Sequence, residues 1–189
     1  MNRSTPDHLK QVVFFMMKRV GTFFLCLSIV ALAACGSNDK KTAAETCADV
    51  KSFFTPGTDC ERNIITAINN AQKIEVAVYS ITHPDITDAI IDAHNRGATI
   101  RIVTDKMMAK GKGSLVEKIR SAGIPVLTNK KHKIEHNKFA VFDDVHVVSG
   151  SYNWTTNASK YNSENCVFFD QQNKEYTHRF EYLWDLYKK

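Results

Sequence analysis

The sequence predicts an α/β protein: a single-domain α-β-α sandwich with a mixed, largely parallel sheet covered by helices on both faces. Three observations carry this expectation. Segments with apolar residues at helical spacing alternate with short strand-like runs from Glu61 onward. The order of these segments is βαβαβ, which implies parallel strands joined by covering helices. The chain of 189 residues, 43% hydrophobic and 24% charged, is ample for one ordinary domain and short for two.

The elements follow in order. Lys18-Arg19, the apolar run Val20–Ala34 and its small-residue end read as an export signal over residues 1–34, with Met16 or Met17 as an alternative start. The run of about fifteen residues is short for a membrane span, which needs roughly 20. Leu32-Ala33-Ala34-Cys35 resembles the bacterial lipoprotein box, and that resemblance makes Cys35 the lipid-bearing residue; Gly36 after it leans towards outer-membrane sorting. Residues 35–46 read as lipidated Cys and flexible tether, and residues 47–189 as the folded domain. Cys47 and Cys60 are candidates for a disulfide in an oxidising envelope compartment, with two free thiols as the alternative.

Within the domain, Ile64, Ile65, Ile68 and Ala71 mark a helix over Glu61–Ala71, after Thr58 or Asp59 as cap. Ile74–Ser80 reads as a buried strand. Pro84-Asp85 opens a second helix that Gly97 closes. Thr99–Thr104 is the next strand, Ser114–Ala122 a third helix ending at Gly123, and Ile124–Leu127 a short strand. Asn165–Phe169 should join the same sheet, and Tyr176, Phe180, Leu183, Trp184 and Tyr187 form the core face of a terminal helix.

Between these lies the stretch that carries chemistry. His136–Asp143 reads as a strand, Asp143-Asp144 as a turn and Val145–Ser149 as the returning strand. His136 and Lys138, two apart, leave one strand face, as do Ser151 and Asn153. Gly150 removes a side chain where backbone would approach a ligand. An imidazole, an ammonium, a hydroxyl and an amide together suit a phosphate. A neutral imidazole can attack phosphorus, and Lys138, Ser151 and Asn153 offer donors to the non-bridging oxygens. Asp143, acidic beside an anion site, reads as structural and paired with a basic side chain.

Global charge adds little. The formal charge is +5, but residues 1–34 hold four of the 25 basic groups and one of the 20 acidic ones, leaving about +2 for the rest. Placement matters more: Lys130, Lys131 and Lys133 immediately precede the His136 strand, and Lys112 sits in an earlier Gly-Lys-Gly loop, so these are candidate substrate contacts.

The pattern His136-x-Lys138-x₄-Asp143-x₆-Gly150-Ser151-x-Asn153 fixes six positions, a coincidence on the order of 10⁻⁸ per start. It resembles the HKD signature of the phospholipase D superfamily. The likeness extends from roughly Ile64 to the C-terminus, and Ala77-Val78-Tyr79-Ser80 and Asn162-Ser163-Glu164-Asn165 look like the small exported bacterial endonucleases with one motif per subunit. The resemblance implies a metal-independent phosphodiester hydrolase without cofactor. It also implies a phosphohistidine intermediate and Glu164 orienting His136. One chain supplies one such histidine, whereas the reaction needs a nucleophile and an acid, so a homodimer is expected to bring two copies of His136 to one phosphate.

Sequence-nonspecific cleavage of DNA, or of RNA, is the first expectation, with the enzyme in the periplasm on an outer-membrane lipid anchor. A phospholipase D-type lipid hydrolase is the alternative, since the same chemistry serves phospholipids. A non-catalytic nucleic-acid-binding lipoprotein is the third, opposed by the complete motif. Metal catalysis by His132 and His136, four apart as on one helix face with Asp143-Asp144 nearby, competes mechanistically. The strand pattern that follows and the positive charge of Lys138 argue against it.

Overall fold

The computed structural model describes residues 49–189; the expected export segment, Cys35, the tether and Cys47 lie outside the described residues. Chain order is β1 (Val50–Phe54), α1 (Asp59–Asn70), β2 (Lys73–Val78), α2 (Pro84–Asn95), β3 (Thr99–Thr104), α3 (Lys106–Lys110), α4 (Val116–Ser121) and β4 (Val126–Thr128). Then come β5 (Lys138–Phe142), β6 (His146–Gly150), α5 (Thr156–Lys160), β7 (Asn165–Phe169) and α6 (Lys174–Lys188). The seven strands form one sheet in the order β1-β7-β6-β5-β2-β3-β4.

The sheet is mixed, as expected, but its parallel part is confined to β2, β3 and β4. The pairings of β2 with β5, β5 with β6, β6 with β7 and β7 with β1 are all antiparallel. The reason lies in the connections. Helices α2 and α4 carry the chain back over the sheet between β2, β3 and β4. The Asp143–Val145 turn instead reverses it directly between β5 and β6.

Strand periodicity divides the core in two. Ile74, Val76 and Val78 of β2 and Ile100 and Ile102 of β3 point to the layer containing Ile64 and Ile68 of α1, Ile86 and Ile90 of α2, and Ile119 of α4. Ala77, Val103, Phe139, Val141 and Val147 face Phe180, Leu183 and Tyr187 of α6. Each large side chain buried here stabilises by about 1.5–3 kcal/mol relative to exposure. Arg101 fastens α6 further: its guanidinium bridges Glu75 and Glu181 and lies over Phe180 and Trp184, 5.1 and 5.2 Å from their ring centres.

Three short elements escape the pattern reading. Strand β1 is mostly exposed, so Val50-Lys51-Ser52-Phe53-Phe54 has no inward apolar alternation; pairing with β7 makes it a strand. Helices α3 and α5 have five residues each, too few for a helical stripe, and rest on side-chain caps. Asp105 Oδ1 accepts from the Met107 and Met108 amides, and Thr155 Oγ1 from that of Ala158.

The cysteine expectation is corrected. Cys60 of α1 is disulfide-bonded to Cys166 of β7, with Cα atoms 5.9 Å apart, and not to Cys47. Cys166 faces the layer beneath α1, where Cys60 is wholly buried, so the bridge forms inside the core.

Candidate active site

The site grows from where β2 and β5 stop pairing. Val78 is opposite Lys138, and beyond that register only the Tyr79 amide continues the contact, donating to the Asn137 carbonyl at 2.9 Å. His136 therefore sits just before β5 in non-ladder backbone, not inside the strand as the alternation implied. Its ring is set edge-to-face against Tyr79, with centroids 4.8 Å apart. The Lys138 ammonium lies 5.2 Å over the same Tyr79 ring and donates to the His136 carbonyl at 2.7 Å. Tyr79 thus supports both motif side chains, a role the sequence reading did not give it.

Burial lowers the Lys138 ammonium below the ordinary lysine value, partly offset by the carboxylates of Glu164 and Glu135. Glu164 Oε1 accepts from the Asn162 side-chain Nδ2 at 2.9 Å, so within one chain its partners are that group and, through space, Lys138, rather than His136. The Glu164 backbone is tied to β1's end, its amide donating to Thr55 Oγ1 at 2.9 Å and its carbonyl accepting from the Thr55 amide at 3.0 Å.

Antiparallel pairing of β5 with β6 returns Gly150 to the end where His136 and Lys138 lie. His136, Lys138 and Gly150 line one concavity of about 320 Å³, closed on the α6 side by Glu175, Tyr176 and Arg179. Arg179 adds a cation that the motif spacing does not reveal. Gly150 has a different reason from the one expected. With φ at +149°, a Cβ there would lie 2.3 Å from the Asn165 carbonyl oxygen, so glycine permits β6 to approach β7. Ser151 belongs to the same seam: its hydroxyl accepts from the Asn165 amide at 3.0 Å, and its own amide donates to Asn165 Oδ1 at 3.3 Å. Asn153 Oδ1 is buried without a hydrogen-bond partner. Ser151, Asn153 and Glu164 are not among the residues that line the concavity.

Asp143 is at the opposite end of β5. Its Oδ1 accepts from the amides of Gln72 and Lys73 at 2.9 and 2.8 Å, so it is structural through backbone groups, not by pairing with a basic side chain; the Lys73 ammonium goes to Asp144 at 2.8 Å. Lys130, Lys131 and Lys133 are exposed on the loop leading to His136, and Lys112 in the turn after α3; none of them lines the concavity.

Beneath that loop runs a buried polar network absent from the sequence reading. Asp105 and Glu135 are each 1% exposed. Asp105 Oδ2 accepts from the Glu135 amide at 3.0 Å. Glu135 Oε1 accepts from the Asn137 amide and side chain at 3.2 and 2.6 Å, and Oε2 accepts from the Tyr187 hydroxyl at 2.8 Å. Tyr187 also meets His132 Nδ1, and burial beside Glu135 raises its phenol well above the ordinary tyrosine value. His132 therefore points to α6, and its backbone is loop, so His132 and His136 share no helical face. The signals for this network were weak: a carboxylate next to the motif histidine, and a tyrosine whose ring is core while its tip is polar.

Comparison with known proteins places the chain among relatives of one family. Residues 64–184 fit the family described as cardiolipin synthase, PLD-like domain. A mitochondrial cardiolipin hydrolase from Chlamydomonas reinhardtii is 35% identical over 119 residues, 62% of this chain and 53% of that protein. The match to the Xenopus tropicalis protein of the same description covers 65% of its length, so the chain spans only about half to two thirds of these relatives. A phospholipase D from Rickettsia felis is 30% identical over 183 residues, 82% of this chain and 92% of that one. Among solved structures, Nuc from Salmonella typhimurium, a phospholipase D family member, has a TM-score of 0.69 at 30% identity, covering 74% of this chain and 95% of that one. NucT from Helicobacter pylori has a TM-score of 0.66 at 25% identity, covering 72% and 97%. A motif histidine and lysine meeting a glycine from the paired strand, on a sheet shared with these structures and inside a matching family span, identify the chain as a member of the phospholipase D-like family.

Proposed function

We propose that this protein is a phosphodiester hydrolase, acting as a sequence-nonspecific endonuclease on DNA, and on RNA where it is presented. The observation that carries the reading is the concavity in which His136 and Lys138 lie beside Arg179: a nucleophile with two cations suited to a phosphodiester. In the reaction, neutral His136 attacks phosphorus and the P–O bond to the leaving oxygen breaks as the P–N bond forms. The leaving oxygen takes a proton from the His136 of a second copy, and water then hydrolyses the phosphohistidine with the proton returned. Lys138 and Arg179 hold the charge on the non-bridging oxygens. No metal or cofactor takes part in this scheme.

A single motif histidine per chain supports a homodimer across a twofold axis, where Glu164 of one copy would be free to meet the His136 of the other. Ser151 and Asn153 are proposed to join the phosphate site from the β6–β7 seam, and Lys130, Lys131, Lys133 and Lys112 to follow the nucleic-acid backbone outside it. The sequence features before residue 47 support export to the periplasm and an outer-membrane anchor at Cys35. The names of the relatives favour a second reading, hydrolysis of phospholipid head groups at a membrane.

The test compares wild type with His136→Ala on plasmid DNA and on cardiolipin or phosphatidylcholine vesicles, both with EDTA present. Nicking that survives EDTA and disappears in the variant supports the nuclease. Lipid turnover without nicking supports the second reading, and DNA retention without cleavage by either protein refutes both. A strictly monomeric enzyme with full activity would sink the shared site.

A further inference from the structure

Away from the concavity, Glu61 in the first turn of α1, His83 at the N-cap of α2 and Asp85 in its first turn converge. One side-chain ligand atom from each lies within 4.8 Å of the others. His83 is 3% exposed, and neither of its ring nitrogens has a hydrogen-bond partner. Nε2 lies 3.0 Å from Glu61 Oε2, close enough for an ion pair but outside hydrogen-bond geometry. A buried imidazole with two unbonded nitrogens is costly unless something else engages it.

An off-axis carboxylate beside an imidazole nitrogen is the arrangement of two ligands converging on one ion. Tetrahedral zinc with arms of about 2.0–2.1 Å places its ligand atoms roughly 3.3 Å apart. The backbone holds the histidine firmly in place: the His83 amide donates to the Trp154 carbonyl at 3.0 Å, and Pro84 begins the helix. Asp85 is exposed and free to close on an ion, leaving a fourth position to water. The positive ends of α1 and α2 both favour the two carboxylates and oppose a cation, which points to moderate affinity.

We propose that Glu61, His83 and Asp85 form a site for one divalent ion of the zinc class, tying α1 to α2 and separate from catalysis. None of the three lines the concavity of His136. The inference does not rest on the proposed function, because binding and melting are measured without substrate.

The experiment uses the full-length protein, freed of metal with chelator and dialysed, then titrated with Zn²⁺ by calorimetry and with Co²⁺ by visible absorption. The wild type is expected to take one equivalent with micromolar affinity and to show cobalt bands of a four-coordinate N/O site. At a hundredfold excess over Kd its Tm should rise by about 5–10 °C. His83→Ala and the milder Asp85→Asn, which keeps shape at an exposed position, should each weaken binding about tenfold or more and reduce the Tm rise. Absence of zinc binding at 100 μM, or equal affinity and equal Tm rise in wild type and Asp85→Asn, overturns the proposal.

Discussion

Replacing Cys60 and Cys166 together by alanine removes a crosslink whose worth follows from its place in the chain. The bridge spans 106 residues, joining the first helix of the domain to the last strand of its sheet. In the chain-entropy picture, closing a loop of that length in the unfolded state stabilises the native state by about 4.8 kcal/mol at 25 °C, against about 3 kcal/mol for the short Cys47–Cys60 alternative. With a urea m-value of about 2 kcal/mol/M, the loss moves the unfolding midpoint down by about 2 M. Both cysteines are at most 1% exposed, so the alanine pair also leaves a small cavity, and the wild type unfolded with and without dithiothreitol isolates the crosslink itself. Cys47→Ala should leave the midpoint unchanged. Coincident urea curves for oxidised and reduced wild type, or peptide mapping that links Cys60 to Cys47, would refute the reasoning.

Three further perturbations probe the site. Gly150→Ala places a methyl group 2.3 Å from the Asn165 carbonyl oxygen at φ +149°, so it should cost about 3 kcal/mol or more by denaturation and loosen Ser151; an unchanged midpoint would contradict the close approach of β6 and β7. Glu164→Gln removes a charge that opposes the lowering of the Lys138 pKa by burial, so its side-chain NMR titration should move further below 10.5; an upward move would contradict the electrostatics. Because folding lowers this pKa, the penalty on stability is present at neutral pH and fades as pH rises towards the ordinary lysine value. Glu135→Ala strips partners from Asn137 and Tyr187, and should cost about 2–4 kcal/mol and lower kcat with little change in KM, whereas an effect on stability alone would make Glu135 structural only.

Legibility in the sequence followed the length of the physical signal. Thr99–Thr104 and Asn165–Phe169 were readable to the residue because their apolar character is their own, and Gly97 and Gly123 marked helix ends through backbone freedom. Strand β1 was not readable, because its identity is conferred by β7. The direction of β5 was hidden for a related reason: alternation tells which face a residue takes, not which neighbour its strand finds. Of the residues lining the concavity, His136 and Lys138 stand in a spaced motif, whereas Arg179 does not, since a cation on a helix of ordinary composition has no motif. The disulfide partner of Cys60 is not legible in the sequence, because Cys166 lies 106 residues away and only the folding of β7 beneath α1 brings the two together. Gly150 was correctly singled out for the wrong neighbour, a strand rather than a ligand.

The turn at Asp143-Asp144 has a use of its own. Both residues have positive φ, 52° and 59°, and the Val145 amide closes the reversal on the Phe142 carbonyl at 3.0 Å. Since β5 and β6 run the whole depth of the sheet between this reversal and His136, the hairpin tip is a natural point for cutting and rejoining the chain. New termini opened after Asp144, or a reporter domain inserted there, would leave the pairing of Phe139 with Ser149 in phase and the His136 end untouched, and would cost only the local ties of Asp143 and Asp144 to Gln72 and Lys73. A single residue added inside β5 would instead turn every side chain beyond it to the other face.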